Sequence, residues 1–215
     1  MIRPTALALL LALPPVLSSC QGAYFSALES FGVHKRDVLV DRVEGARDAQ
    51  SEAKAAFVST LEAFRAVQDF DGGELEELYD DLNARYSTCA SRASAVDSRI
   101  DGVESVSQAL FDEWESELGE IGDAGLRAAS REQLESTRAR YEGLVAAMRR
   151  AEERMQPVLG AFKDRVLFLK HNLNAQAIAS LEGTLSEIEL DVDALIGEME
   201  AAIAEADAFI ESMAG

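Results

Sequence analysis

The sequence predicts an all-α protein, a long antiparallel bundle of about four helices with coiled-coil-like seams. Apolar residues recur in alternating steps of four and three over most of the chain, the repeat of helices that bury one stripe against their neighbours. Only four prolines and one tryptophan occur in 215 residues, and Ala, Glu, Leu and Arg dominate, which is the composition of long helices. Clusters of glycine, asparagine and aspartate interrupt the repeat at three places and divide it into four.

Residues 1–19 read as a signal peptide. A short positive start, Met1-Ile2-Arg3, is followed by an uncharged run from Ala6 to Leu17. That run contains Pro14 and Pro15 and falls short of the roughly 20 apolar residues a bilayer span needs. It ends in Leu17-Ser18-Ser19-Cys20, which resembles the bacterial lipobox, an aliphatic residue and two small ones before a cysteine. In proteins with that motif the cysteine sulfur takes a diacylglycerol and the chain is cut before it. Each buried methylene contributes roughly 0.8 kcal/mol, so two or three acyl chains hold a protein on a membrane. The plain alternative is an ordinary cleaved signal with an incidental cysteine. Gln21 rather than Asp at the next position implies, in lipoproteins of diderm bacteria, sorting to the outer membrane, with the chain on its periplasmic face. Residues 20–33 are then a lipid anchor and membrane-proximal segment, in which Tyr24, Phe25, Leu28 and Phe31 either lie at the membrane interface or pack on the base of the bundle.

The bundle is expected over residues 34–215. Its first helix carries Leu39, Val43, Ala46, Ala53, Phe57, Leu61 and Phe64, less regular than the others but helical in spacing. Asp71, Gly72 and Gly73 close it, glycine being the residue that tolerates a left-handed helix terminus. The second has the cleanest seam: Leu82, Tyr86, Cys89, Ala93, Val96, Ile100 and Val103, then polar Ser107, then Leu110 and Trp114. Gly119, Gly122, Asp123 and Gly125 separate it from the third. The third carries Leu134, Tyr141, Leu144, Met148, Ala151, Met155, Val158, Phe162 and Leu169, and its repeat continues through Pro157, which should kink the helix rather than end it. His171, Asn172, Leu173 and Asn174 make the next break, with Asn174 a candidate cap. The fourth runs Ile178, Leu181, Leu185, Ile188, Val192, Leu195, Met199, Ala202, Ala206, Phe209, Met213. Helices of roughly 35 to 45 residues reach about 50 to 65 Å. Short connections make neighbours antiparallel. The start of the first helix, the 119–125 loop and the carboxyl terminus then share one end, and the 70–74 and 171–174 turns the other.

Charge narrows the possible partners. Removing residues 1–19 takes Lys plus Arg from 20 to 19 against 39 acidic residues, a formal charge of −20. Such a balance repels phosphate backbones and disfavours nucleic-acid binding. From Ala175 to Gly215 there are ten acidic residues and no Lys or Arg. Two ladders at seven-residue spacing flank the fourth seam, Asp191, Glu198, Glu205 and Asp193, Glu200, Asp207, while the second helix carries Arg85, Arg92 and Arg99. Flanking charges of this kind set helix pairing. On a structural reading, the fourth helix is placed by these arginines or by Arg138, Arg149, Arg150 and Arg154 of the third. On a functional reading, part of the acid ladder faces outward to a basic partner.

Residues for chemistry are sparse. A carboxylate-bridged di-metal bundle needs Glu-x-x-His pairs, but Phe31 and Phe168 stand three residues before the only histidines, His34 and His171. Asp69, Asp71, Glu74 and Asp80 superficially resemble a calcium loop, yet its fifth position is Gly73 and its twelfth is Asp rather than Glu. The four lysines, Lys35, Lys54, Lys163 and Lys170, are followed by Arg36, Ala55, Asp164 and His171, so no phosphate-cradling Gly-Lys-Ser/Thr loop exists. With Cys20 acylated, Cys89 is a single thiol in an apolar seam, which reads as a buried structural cysteine rather than a nucleophile or an intermolecular bridge. No cofactor, metal or catalytic residue is expected, and the protein reads as a non-enzyme.

The stretches His34-Lys35-Arg36-Asp37 with Leu39-Val40-Asp41-Arg42-Val43-Glu44, Leu110-Phe111-Asp112-Glu113-Trp114-Glu115, and Phe168-Leu169-Lys170-His171-Asn172-Leu173-Asn174-Ala175 resemble a proteobacterial family known only as domain-of-unknown-function family 2959. The resemblance covers nearly the whole chain after Cys20 and implies an envelope lipoprotein with no assigned activity. Members sometimes carry the name of a DNA-repair ATPase, but the ATP-binding loop is missing here. The expected function is a membrane-anchored helical scaffold or adaptor acting through protein contacts or self-association. One alternative is a cation-binding or enzymatic periplasmic protein using the acidic distal turns, at Asp69, Asp71, His171 and Asn174. A second is a coiled-coil protein of the DNA-repair ATPase type.

Overall fold

The computed structural model describes residues 34–67, 75–172, 181 and 185–214. They form four helices and, among the described residues, no strand: α1 (Lys35–Ala66), α2 (Leu75–Leu118), α3 (Ala124–His171) and α4 (Leu185–Ala214). At 1.5 Å per residue the 48 residues of α3 reach about 72 Å. The all-α bundle predicted from the 4-3 repeat is the observed one. Breaks at 119–123 and after His171 fall where the glycines and asparagines stand, with Asp123 capping α3 by accepting from the Leu126 N–H at 2.9 Å and Asn172 ending it. Pro157 lies inside α3, which continues through it. Asp71, Gly72, Gly73, Asn174 and Ile178 lie outside the described residues, as do Cys20 and the apolar cluster of Tyr24, Phe25, Leu28 and Phe31.

The irregularity of the first repeat has a simple source. Buried positions of α1 run Leu39, Val43, Ala46, Gln50, Ala53, Phe57, Thr60, Phe64, an unbroken alternation of fours and threes once the two polar members are included. Phe57 and Phe64 of α1 stack on Phe162 of α3, with centroids 6.1 and 5.3 Å apart. The aromatic rings thus cross the middle of the bundle. The closest helix approaches join α1 to α2 and α4, and α3 to α2 and α4, so α2 and α4 stand at opposite corners of a square.

The break in the second seam also has a cause. Val103, Ser107 and Phe111 are buried in consecutive steps of four, and each such step advances the stripe by about 40° around the helix. α1 begins at Lys35, whose ammonium pairs with Glu113 of α2 at 2.8 Å. Beyond that level α2 turns its buried face to α3. There Phe111, Leu118 and Leu134 make a small second core with Trp114, Ile121 and Tyr141 against it, Tyr141 set edge-on to Phe111 at 5.3 Å.

Phe162 is wholly buried at the junction of three rings, and Phe162→Ala is expected to cost about 3–5 kcal/mol of unfolding free energy in urea titration. Leu190→Ala, at a position 71% exposed, should stay within about 0.5 kcal/mol of the parent.

Candidate functional site

The side chains able to do chemistry are arranged chiefly along the helix seams. Between α1 and α4, Arg47 meets Asp207 at 3.0 Å, Lys54 meets Glu200 at 3.3 Å and Arg65 meets Glu189 at 2.6 Å. Steps of seven and eleven along α1 are matched by steps of seven and eleven back along α4, so one antiparallel register holds over the seam. On its other side α4 presents Glu198 to Arg150 and Arg154 of α3 at 3.6 and 3.5 Å. Each acid ladder therefore serves its own neighbour. Asp193, Glu200 and Asp207 face α1, where Asp193 adds to the field that raises the Arg65 pKa, and Asp191 and Glu198 face α3, where Asp191 acts on Arg165.

The Arg85, Arg92, Arg99 ladder does not place α4. It faces α1: Arg85 donates to Ser59, Arg92 pairs with Glu52, and the Arg99 guanidinium lies 3.6 Å from where a Cβ on Gly45 would stand. The correction follows from topology, because α2 and α4 occupy opposite corners. Of the third-helix arginines named from sequence, Arg150 and Arg154 do reach α4, whereas Arg138 pairs with Glu115 of α2 at 2.7 Å. Arg149 gathers Asp97, Asp101 and Glu104 of α2 at 2.6 to 3.0 Å, with Glu152 of its own helix at 3.3 Å. The Glu104 hydrogen bond and the Asp101 and Asp97 carboxylates raise the Arg149 pKa against partial burial. Arg47, Lys54 and Arg65 as partners of α4 were missed in the sequence, although 47 and 54 share the seven-residue spacing of 200 and 207.

Cys89 is buried, as its place in the seam predicted. Its sulfur lies 3.0 Å from the Thr60 hydroxyl. Thr60 also donates to the Ala56 carbonyl at 2.8 Å, and either the thiol or the hydroxyl can donate between the two side chains. Burial pushes the thiol pKa up, opposed by the Thr60 hydrogen bond, which disfavours the nucleophilic thiolate.

His171 ends α3 and Asp80 lies in the second turn of α2, while Asp69, Asp71, Gly73, Glu74 and Asn174 lie outside the described residues. Among the described residues no group of three or more His, Cys, Asp or Glu could hold a metal ion, and no helix is long and apolar enough to cross a membrane. A cavity of about 620 Å³ opens where α1 begins and α4 ends, lined by Arg36, Leu110, Glu113, Trp114, Thr137 and Met213. Arg36 donates to the Met213 carbonyl and Glu113 pairs with Lys35, and Glu117 lines the cavity as well. Trp114 donates to Ser130 at 2.9 Å.

What remains for a partner is helix surface. Arg42, Arg99, Arg131, Arg140, Glu205 and Glu211 are among the many described charged residues that form no ion pair. Arg42 and Arg99 lie reciprocally over glycines of the facing helix, Arg42 Cδ being 3.9 Å from a Cβ position on Gly102.

These features define an antiparallel four-helix bundle whose ionised side chains set helix pairing. Within that class the chain belongs to the family described as "Protein of unknown function (DUF2959)", which matches residues 24–213, the family its sequence resembles. The match begins after Cys20. No curated protein and no solved structure matches the chain.

Removing Arg149 leaves three carboxylates of α2 facing one another over two turns, so Arg149→Ala should lower stability by about 1–2 kcal/mol, several exposed pairs being lost together. The exposed Arg92 pair should cost about 1 kcal/mol or less in Arg92→Ala. Urea titration at low and high salt separates the two. Because the folded pKa of Cys89 lies above its unfolded value, the unfolded thiol ionises first as pH rises. Stability is intact below the ordinary thiol value of about 8.5 and falls above it. Melting curves between pH 8 and 10 should show this decline in the parent and a shallower one in Cys89→Ala.

Proposed function

We propose that the protein is an envelope lipoprotein, anchored by acyl chains on Cys20 at the periplasmic face of the outer membrane, and that it acts as a non-enzymatic helical scaffold or adaptor through protein contacts. The observation that supports the scaffold role is the constant ionic register along the α1–α4 seam, with Arg85, Arg92 and Arg99 meeting Ser59, Glu52 and Gly45 at the same seven-residue steps along the α1–α2 seam. Steps of seven on one helix answered by steps of seven on the next penalise sliding, because a shift by one residue separates every pair on the seam together. A bundle held this way is a stiff rod that keeps surfaces at fixed heights, which is what a spacer or adaptor needs. The anchoring rests on the Leu17-Ser18-Ser19-Cys20 motif after an apolar run, and the outer-membrane destination on Gln21.

Intact-mass analysis of the membrane-extracted chain tests the anchor. A mass starting at Cys20 and carrying acyl groups is expected, together with loss of membrane association in Cys20→Ala. An unprocessed chain in the soluble fraction would sink the lipoprotein reading. For the scaffold role, crosslinking in intact cells should trap a stoichiometric protein complex that is lost when the outward helix faces are charge-reversed.

A further inference from the structure

One level of the core is built unlike the rest. Gln50 is wholly buried on the seam of α1. The burial extends to both polar atoms of its amide, and neither meets a partner among the described residues. A glutamine amide offers two donors and an acceptor with two lone pairs. Leaving all of them unmade inside a protein carries the full cost of desolvation.

The surroundings of this amide are lined by alanine from all four helices. Ala46 and Ala53 stand one turn to either side on α1. The Arg47–Asp207 and Lys54–Glu200 pairs bracket Gln50 and set it beside residues 200–207 of α4, where the buried residues are Ala202 and Ala206. The Arg92–Glu52 pair brings Ala93 of α2 to the same height. On the diagonal helix α3, Arg150 and Arg154 meet Glu198, which puts Ala147 and Ala151 alongside as well. These seven are all the alanines buried in the described core, each 3% exposed or less, and at 1.5 Å per residue they lie within about 8 Å of Gln50 along the bundle. Beyond them the seams hold Phe57, Phe64 and Phe162 on one side and Leu39, Val43 and Val103 on the other.

None of the neighbours answers the amide. Val96, Leu144, Met148 and Met199 share this height and offer nothing stronger than a thioether. The other buried polar residues, Thr60, Ser107 and Thr137, belong to other levels. What the alanines do supply is main chain, since a single methyl leaves the second lone pair of a helix carbonyl uncovered. A large ligand has no entry, because Gln50 and the alanines are closed to solvent. A cation is disfavoured, because the level contains no buried carboxylate to balance it.

From this setting we propose that the level of Gln50 is a binding site for ordered internal water, held between the amide and the carbonyls of the alanine-bearing turns. Water accepts from Gln50 Nε2, donates to Oε1 and gives its remaining hydrogen bond to a helix carbonyl, which supplies the roughly two to four polar partners that a buried water needs. Gln50 then recovers its hydrogen bonds in the native register and loses them in any other. The site goes beyond the scaffold reading and depends on neither the anchor nor a partner.

The sample for the test is the full chain purified in detergent. Relaxation dispersion of the water resonance reports molecules held longer than the tumbling time, and the parent should hold more of them than Gln50→Met. Ala202→Val, which keeps the amide but fills its surroundings, should lose the same amplitude. Circular dichroism establishes that both variants keep the helicity of the parent. A direct measurement needs neither variant: water magnetisation should pass to the Gln50 side-chain NH2 protons with the sign of a long-lived contact. Equal dispersion in the parent and Gln50→Met would overturn the proposal by placing any held water elsewhere, and absence of transfer to the Gln50 amide would overturn it by showing that group dry. Xenon that shifts the Ala93 and Ala151 methyl resonances of the parent would overturn it too, since xenon occupies dry apolar space.

Discussion

The arrangement of the bundle depends on the two acid ladders that flank the buried stripe of α4. Burial of apolar surface, at roughly 25 cal/mol per Å², drives the four helices together, but it does not choose between arrangements, since all four stripes have the same 4-3 spacing and similar side chains. Charge makes the choice. A helix with acids on both sides and no cation of its own fits between α1 and α3, each of which turns Lys or Arg toward it. Each exposed pair contributes about 1 kcal/mol or less. Misplacing α4 would forfeit all of them and bring like charges together, so the summed penalty fixes topology while contributing little to total stability.

Gln50 and Thr60 show the same logic inside the core. Thr60 is satisfied by Ala56 and Cys89, whereas neither polar atom of the wholly buried Gln50 amide meets a partner among the described residues. A buried amide without partners costs about 1–3 kcal/mol. A polar residue at a seam position also penalises other registers and oligomer states more than it penalises the native one. In a chain whose seams would otherwise slide by whole heptads with little loss of burial, such a residue at the centre of α1 resists sliding.

Much of this was legible in the sequence. Helix number, the 119–123 break, the burial of Cys89 and the continuation through Pro157 follow from local patterns, and the structure agrees with each. The partner of the Arg85, Arg92, Arg99 ladder was not legible. Periodicity states that a charge flanks a seam but not on which side the neighbour stands, and that depends on the order of helices around the square. Gly45 and Gly102 carried the missing signal. Glycines inside long helices cost about 1 kcal/mol each, and here they lie beneath arginine stems of the facing helix, which marks the α1–α2 seam as the one the arginines cross. The seam break at Ser107 was visible, but its reason was not, because it lies in where α1 begins relative to α2.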